Sequence, residues 1–596
     1  MPVYDRPVSR ERHYRWEWHL QSSPAALWPL VSDTNRFNRD TGIGTVEMRG
    51  VEPGIARRRL RVSRFGIPLE WTEEPFEWVR PERFSVVRRY ARGPLEEMRV
   101  AVELRPEGPG THLVYEVRAR PRTVLGSISV PIEIGRRLRR RFDETIRAYD
   151  RIAASQEAAA PDDGDSRLAR GGRERLAAAS VQLVRAGSDP QLVERLRLAI
   201  ERGDDLVLAR MRPYELADTW GAERRAVLEL FLRATRAGLL DLCWDLLCPL
   251  CRGVQESPAH LSELESGVHC ESCGIDFEVN FADSVELTFV PNPAVREVHR
   301  VFFCVAGPQF TPHVALQQLL PPTAERTLSA ALEPGRYRLR AGTLRGSQPI
   351  LVGDGGSPEA TVTLEEAGWP EHELRLTGRA ALRLVNSTSD EHRVVLERTA
   401  WGDQSATAAE VTALQVFRDL FSNEVLRPGE PVSVGTLAVV FTDLLGSTRF
   451  YRELGDAPAF GAVADHLELL RAVVGEEGGA VVKTMGDAIM AVFRRPADAV
   501  TAVLRAQREA QPLVLKAGVH YGPCIAISQN DRLDYFGTTV NAASRLAGLS
   551  NGTDVVVSAA VHSDPDVAAL ALRSERVILT LKGFDDEPFE IWRLLP

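Results

Sequence analysis

The 596-residue sequence predicts a multidomain α+β protein whose last quarter is a ferredoxin-like domain. The length exceeds what one hydrophobic core serves, so roughly three to five domains are expected. Beyond Leu437, apolar runs alternate with helical spacing in a βαββαβ-like order. Upstream, two CxxC pairs precede a stretch rich in strand patterns and poor in helical ones.

Hydrophobic content of 44% and charged content of 26% describe an ordinary globular chain. A net charge of -9 gives no general drive toward nucleic acid or anionic lipid, and no nucleic-acid partner is expected. No run of 18 apolar residues exists, so no membrane span is expected. The first residues, MPVYDRPVSRERHYRWEW, lack the apolar core of a secretory signal, and a cytoplasmic location is expected.

Residues 1–155 read as strands closed by one long helix. HYRWEWHL alternates, Ser23-Pro24 opens a short helix as N-cap and first-turn proline, and RRRLRVSRF, RFSVVRRY, MRVAVEL and THLVYEVRA follow as strands. Pro131 then opens a helix with Ile134, Leu138, Phe142, Ile146, Tyr149 and Ala153 on one face. Its arginines, Arg136 to Arg147, read as a solvated face. This element order, with SPAALWPLVSD, resembles the START-like (helix-grip, SRPBCC) superfamily. The resemblance implies a cavity for a small apolar ligand. Five of the ten tryptophans lie here, and core filling is the favoured reading of those rings.

Residues 156–172 read as an Ala/Asp/Gly linker, and residues 173–247 as a helical module ending in LLDLCWDLL. Its charges are mixed, which argues against a DNA-reading face. Cys248, Cys251, Cys270 and Cys273 form CxxC-x18-CxxC within residues 248–284, the spacing of a zinc ribbon with one structural Zn²⁺. His269 is a spare ligand at most. Residues 285–405 read as a β-sandwich, and residues 406–434 as a connecting segment with one helix from Thr407 to Phe421.

In residues 435–596, the run LAVVF ends at Thr442-Asp443 before Gly446-Ser447-Thr448. Gly486-Asp487 turns one apolar run into the next. Pairing those strands brings Asp443 and Asp487 together, two hard oxygen ligands suited to Mg²⁺ and a substrate phosphate. The backbone of Leu445, Gly446, Ser447 and Thr448 is open to phosphate oxygens.

FTDLLGST, KTMGDAIMAVF and LDYFGTTVNAASRL, in that order, resemble the three signatures of class III nucleotidyl cyclases. The resemblance implies ATP conversion to 3′,5′-cyclic AMP and pyrophosphate with two Mg²⁺ or Mn²⁺ per site. The ions would be held by Asp443 and Asp487, with a carbonyl from Leu444. Lys483 and Asp534 stand where the family reads the purine, and a donor with an acceptor suits adenine. Asn541 and Arg545, four apart on one helix face, match the ribose-orienting and transition-state residues. Lys582 would bind the terminal phosphates. The family divides these groups between protomers, so a homodimer through the catalytic domain is implied. A guanylate cyclase, or a silent nucleotide-binding scaffold, is the alternative; the intact residue set disfavours the scaffold.

Overall fold

The structure is a computed structural model that describes residues 11–595 apart from 53–54, 65–66, 156–167, 300–301, 343, 371, 400–403 and 582–587. The greater part of the expected linker, and Lys582, therefore lie outside the described residues.

The alternating N-terminal run forms the strand Arg12–Leu20, which buries Trp18 and Leu20 and pairs antiparallel with Gly110–Pro121. Ser23 caps the helix Pro24–Val31, its side chain accepting from the Ala26 N–H. The long helix begins earlier than Pro131. Thr123 caps an α-helix over Val124–Val130, a π-wound segment runs over Pro131–Leu138, and α-helix continues over Arg139–Ser155. Proline has no N–H to donate, and the widened winding starts there. Between sheet and helix the rings of Phe37, Tyr115 and Phe142 stand 4.9–5.5 Å apart by centroid, so rings fill this core.

LLDLCWDLL, expected to extend the helical module, is instead the strand Leu240–Leu247. Leu240, Leu242, Trp244 and Leu246 repeat every second residue and are buried, a strand period that outweighs leucine's helix propensity. The strand pairs antiparallel with Val285–Pro291, and the cysteine ribbon is inserted between these partners. Helices Gly172–Arg185, Pro190–Arg202 and Arg224–Arg236 cover the same core.

The β-rich stretch is not self-contained as a sandwich. Its strand Val314–Leu320 pairs with Glu77–Val79, so one 14-stranded sheet runs from the N-terminal region through residues 314–398. The short strand Glu77–Val79 has an open edge, and Arg80 N–H to Ala315 O (2.9 Å) and Trp78 Nε1 to Val314 O (3.2 Å) close it. At this junction a cavity of about 400 Å³ is lined by charged side chains, Glu77, Arg83, Glu103 and Arg326 among them.

The connecting segment forms two short helices, α1 (Ala408–Val411) and α2 (Gln415–Leu420), where one was expected. Leu414 between them is extended, with φ -95° and ψ 132°. The C-terminal unit then runs β1 (Val432–Leu444), α3 (Ser447–Leu454), α4 (Asp456–Glu476), β2 (Ala480–Met485), β3 (Ala488–Phe493), α5 (Pro496–Glu509), β4 (Leu515–Gln529), β5 (Arg532–Phe536), α6 (Thr538–Leu549), β6 (Val555–Ser558), α7 (Ala559–His562), α8 (Pro565–Ala569), β7 (Arg573–Thr580) and β8 (Pro588–Leu595). The sheet order is β2-β3-β1-β4-β6-β8-β7, with β5 paired to β4. Alternation along β1 sends Ala438 and Val440 toward α4 and α5, and Leu437, Val439 and Phe441 into a core shared with α1, α2 and Trp244. The upstream unit and the C-terminal sheet thus share one continuous apolar core.

Candidate active site

Asp443 lies at the end of β1 and Asp487 at the tip of the β2–β3 hairpin, where Gly486 adopts φ 69°. The β1–β3 register ends at Thr442↔Ile489, which brings both aspartates to the same end of adjacent strands. Asp487 Oδ2 is buried with no hydrogen-bond partner among the described residues. An unpaired buried carboxylate oxygen is costly unless a cation completes it, so the donor set fits a divalent ion.

Leu444 is buried, whereas Leu445 is 54% exposed and anchored by its N–H to Val514 O (2.9 Å). Gly446 follows at φ 75°, and nothing stands within 4 Å of where its Cβ would be. Ser447 and Thr448 open α3, and the N–H groups of a first helical turn have no intrahelical acceptor. This open loop at a helix N-terminus suits an anion.

Lys483 on β2 and Asp534 on β5 are brought together across 51 residues: Lys483 Nζ donates to Asp534 Oδ2 at 2.6 Å. Asp534 Oδ1 accepts from the Tyr535 N–H at 2.8 Å. The carboxylate is nearly buried and the ammonium part-exposed, so one donor and one acceptor stand side by side at a solvent-reachable edge.

Asn541 and Arg545 project from the exposed side of α6, whose other side buries Ala542, Ala543, Leu546 and Ala547. The helix can lie this close to β4 because residue 518 is glycine.

Helical spacing places His466 on one face with Val463, Leu467 and Leu470 but assigns it no role. His466, on the apolar face of α4, is 3% exposed, and neither ring nitrogen has a partner among the described residues. Burial holds its pKa below the usual imidazole value, while the neighbouring Asp487 carboxylate acts in the opposite direction. The signal was there: a single polar residue among Val463, Leu467 and Leu470 on an otherwise apolar face.

The four ribbon cysteines converge, with every sulfur within 4.8 Å of the others and Cys251 Sγ 3.8 Å from Cys270 Sγ. Tetrahedral zinc at ~2.3 Å from each thiolate separates sulfurs by about 3.8 Å, so the cluster fits that ion. His269 instead faces Asp276 at 2.8 Å. The knuckles are held from the β-rich region, where Arg338 donates to Pro249 O (3.3 Å) and Arg393 to Ser272 O (3.4 Å).

Residues 430–584 match the adenylate and guanylate cyclase catalytic domain family, and residues 176–301 match a family of unknown function, DUF5939. An adenylate cyclase of Podospora anserina is 29% identical over 205 residues, 26% of this chain and 9% of that protein. An uncharacterized protein of Mycobacterium tuberculosis is 32% identical over 239 residues, 36% of this chain and 60% of that protein. The matches thus span less than two thirds of these relatives. The adenylyl cyclase CyaB from P. aeruginosa is 22% identical, with 28% of this chain and 96% of that one covered and a TM-score of 0.26. The C-terminal unit is an adenylate/guanylate cyclase catalytic domain. Among the described residues no helix is long and apolar enough to cross a membrane.

Proposed function

We propose that the chain is an adenylate cyclase, closing ATP to 3′,5′-cyclic AMP with release of pyrophosphate in a site completed by a second copy of itself. The 2.6 Å contact between Lys483 and Asp534 carries the choice of purine. Adenine offers an acceptor at N1 and a donor at the 6-amino group, which a lysine and an aspartate complement; guanine offers the reverse.

The remaining roles follow from the chemistry of each group. Asp443 and Asp487, with the Leu444 carbonyl, would hold two Mg²⁺ or Mn²⁺; the orphaned Asp487 Oδ2 supports that assignment. Bound there, the ions would supply charge neutralisation and a lowered pKa for the attacking ribose hydroxyl. The N–H groups of Gly446, Ser447 and Thr448 hold phosphate oxygens; the Leu445 N–H, expected to be open as well, is instead committed to Val514 O and only anchors the loop. Lys582 holds the terminal phosphates. Asn541 orients the ribose. The Arg545 guanidinium faces the charge that develops on the phosphoryl oxygens, a contribution of several orders of magnitude in related transfers.

A homodimer is favoured by exposed apolar side chains around the site: Leu445, Leu454, Phe460, Met485 and Phe536. One structural Zn²⁺ would be held by Cys248, Cys251, Cys270 and Cys273. Product identification from ATP and GTP, each with Mg²⁺ or Mn²⁺, tests the proposal. Cyclic AMP from ATP is expected. Predominant cyclic GMP would make the protein a guanylate cyclase, and no cyclic product from either would make it a scaffold.

A further inference from the structure

Lys483 and Asp534 belong to strands that do not pair with each other. Among the described residues β2 is the last strand of the sheet and β5 pairs only with β4, and the β2–β3 register slips between Val481 and Lys483. The sheet ladder alone therefore does not fix the spacing of the two side chains. Helix α2 bridges the two strands. Gln415 Oε1 accepts from the Val481 N–H at 2.8 Å, two residues before Lys483. One helical turn on, Arg418 Nη1 donates to Leu533 O at 2.9 Å, one residue before Asp534. The Arg418 guanidinium also lies 5.2 Å from the Tyr535 ring centre, and its Nε donates to Thr412 O at 3.0 Å. Tyr535 closes the loop by donating its hydroxyl to Thr412 Oγ1 at 3.0 Å.

The same segment is held by the upstream unit. Leu287 N–H donates to Ala406 O (2.8 Å), Ala409 N–H to Phe281 O (3.1 Å) and Tyr214 Oη to Glu410 (2.7 Å). The Phe417 ring stands edge-on to Trp244 at 5.8 Å. Every one of those upstream partners falls within residues 176–301, the stretch matching the family of unknown function.

We propose that Gln415 and Arg418 are positioning residues, which hold Lys483 and Asp534 at the separation that discriminates adenine from guanine and tie that separation to the 176–301 unit. The proposal rests on the purine-reading role given to the pair above. Movement of α2 relative to the catalytic sheet then changes nucleotide selection.

The test uses the full chain and two readouts that do not need turnover. Displacement of a fluorescent ATP analogue by ATP and by GTP gives the selectivity ratio. Backbone hydrogen exchange over 480–485 and 532–536 gives the tightness of the clamp. Arg418→Ala and Gln415→Ala are each expected to lower the ATP-over-GTP ratio about tenfold and to speed exchange in both stretches. Exchange in β6 and β8 should stay at its wild-type rate. Arg418→Lys, which keeps one donor and the charge, should recover part of the ratio. An unchanged ratio in both alanine variants, or exchange that rises equally throughout the domain with no change of ratio, overturns the proposal. A wild-type chain that binds ATP selectively yet makes no cyclic product overturns the cyclase reading alone, and the variants still decide the role of α2.

Discussion

Gly518 of β4 and Ala547 of α6 approach so closely that no side chain fits between them: a Cβ on Gly518 would stand 2.1 Å from the Ala547 backbone nitrogen. The obstacle is backbone rather than a flexible side-chain end, so Gly518→Ala must push α6 outward. Overpacking of this kind costs about 1–3 kcal/mol. Asn541 and Arg545 ride on that helix, so turnover should fall further than stability does. Thermal unfolding beside initial-rate measurement checks this; wild-type turnover in a destabilised Gly518→Ala chain would detach α6 from the chemistry.

Asp443→Ala and Asp487→Ala should each reduce turnover by about a hundredfold or more, because each removes a charged oxygen donor from the proposed metal site. Neither should unfold the protein. Asp487→Ala removes a buried oxygen that lacks a partner, so without added metal its unfolding midpoint should match or exceed that of the wild type. The stabilisation that Mg²⁺ or Mn²⁺ gives the wild type should vanish in both variants. A variant retaining both turnover and the metal-induced shift would dismiss the assignment.

The cysteine cluster should contain about one zinc per chain. Cys248→Ser with Cys273→Ser should abolish it and open residues 248–278 to proteolysis, because the ribbon joins two strands whose pairing lies outside it. The catalytic domain should still bind nucleotide. Metal analysis finding no zinc in the wild-type protein would refute the site.

His520 supplies a pH dependence. Burial pushes its pKa down to about 4, below an unfolded value of about 6.5. Protonation therefore favours the unfolded chain: this contribution is fully present above pH ~6.5 and is lost as the pH falls toward ~4. The loss is on the order of 2 kcal/mol, scaled down because the ring is partly solvated. His313, His392 and His466 are held below the usual value by burial as well, so His520→Phe should flatten the acid slope without abolishing it. Urea midpoints from pH 7 to pH 4 measure the difference; identical slopes in variant and wild type would exclude His520 as a contributor.

Local signals were the legible ones. Gly486-Asp487 marks a hairpin tip because glycine adopts the positive φ that the turn needs, and CxxC spacing marks convergent sulfurs. The Lys483–Asp534 contact spans 51 residues between unpaired strands, and only resemblance to a family pointed to it. Leu240–Leu247 satisfies helical and strand patterns alike until Val285–Pro291 pairs with it. The joining of Val314–Leu320 to Glu77–Val79 depends on an open strand edge more than 200 residues upstream, which carries no pattern in sequence. Helical spacing puts His466 on the apolar face of α4, but nothing in that spacing marks it as a neighbour of Asp487.

The last prediction concerns how the site divides between two copies. Asp443 and Asp487 should serve one half-site and Lys483, Asp534, Asn541 and Arg545 the facing half. An Asp443→Ala protomer keeps the second group intact, and an Arg545→Ala protomer keeps the first. Each homodimer alone should be nearly inactive. A mixed dimer pairs the intact aspartates of one protomer with the intact arginine of the other and restores one full site, while its opposite site carries both lesions. With random exchange of a 1:1 mixture, about half of the dimers are mixed and each holds one working site of two, so activity should recover to about a quarter of wild type. Subunit exchange must be verified in the same samples, for example by energy transfer between labelled chains. No recovery despite demonstrated exchange would require Asp443 and Arg545 to act from the same chain, and this division of the site between protomers would then be wrong.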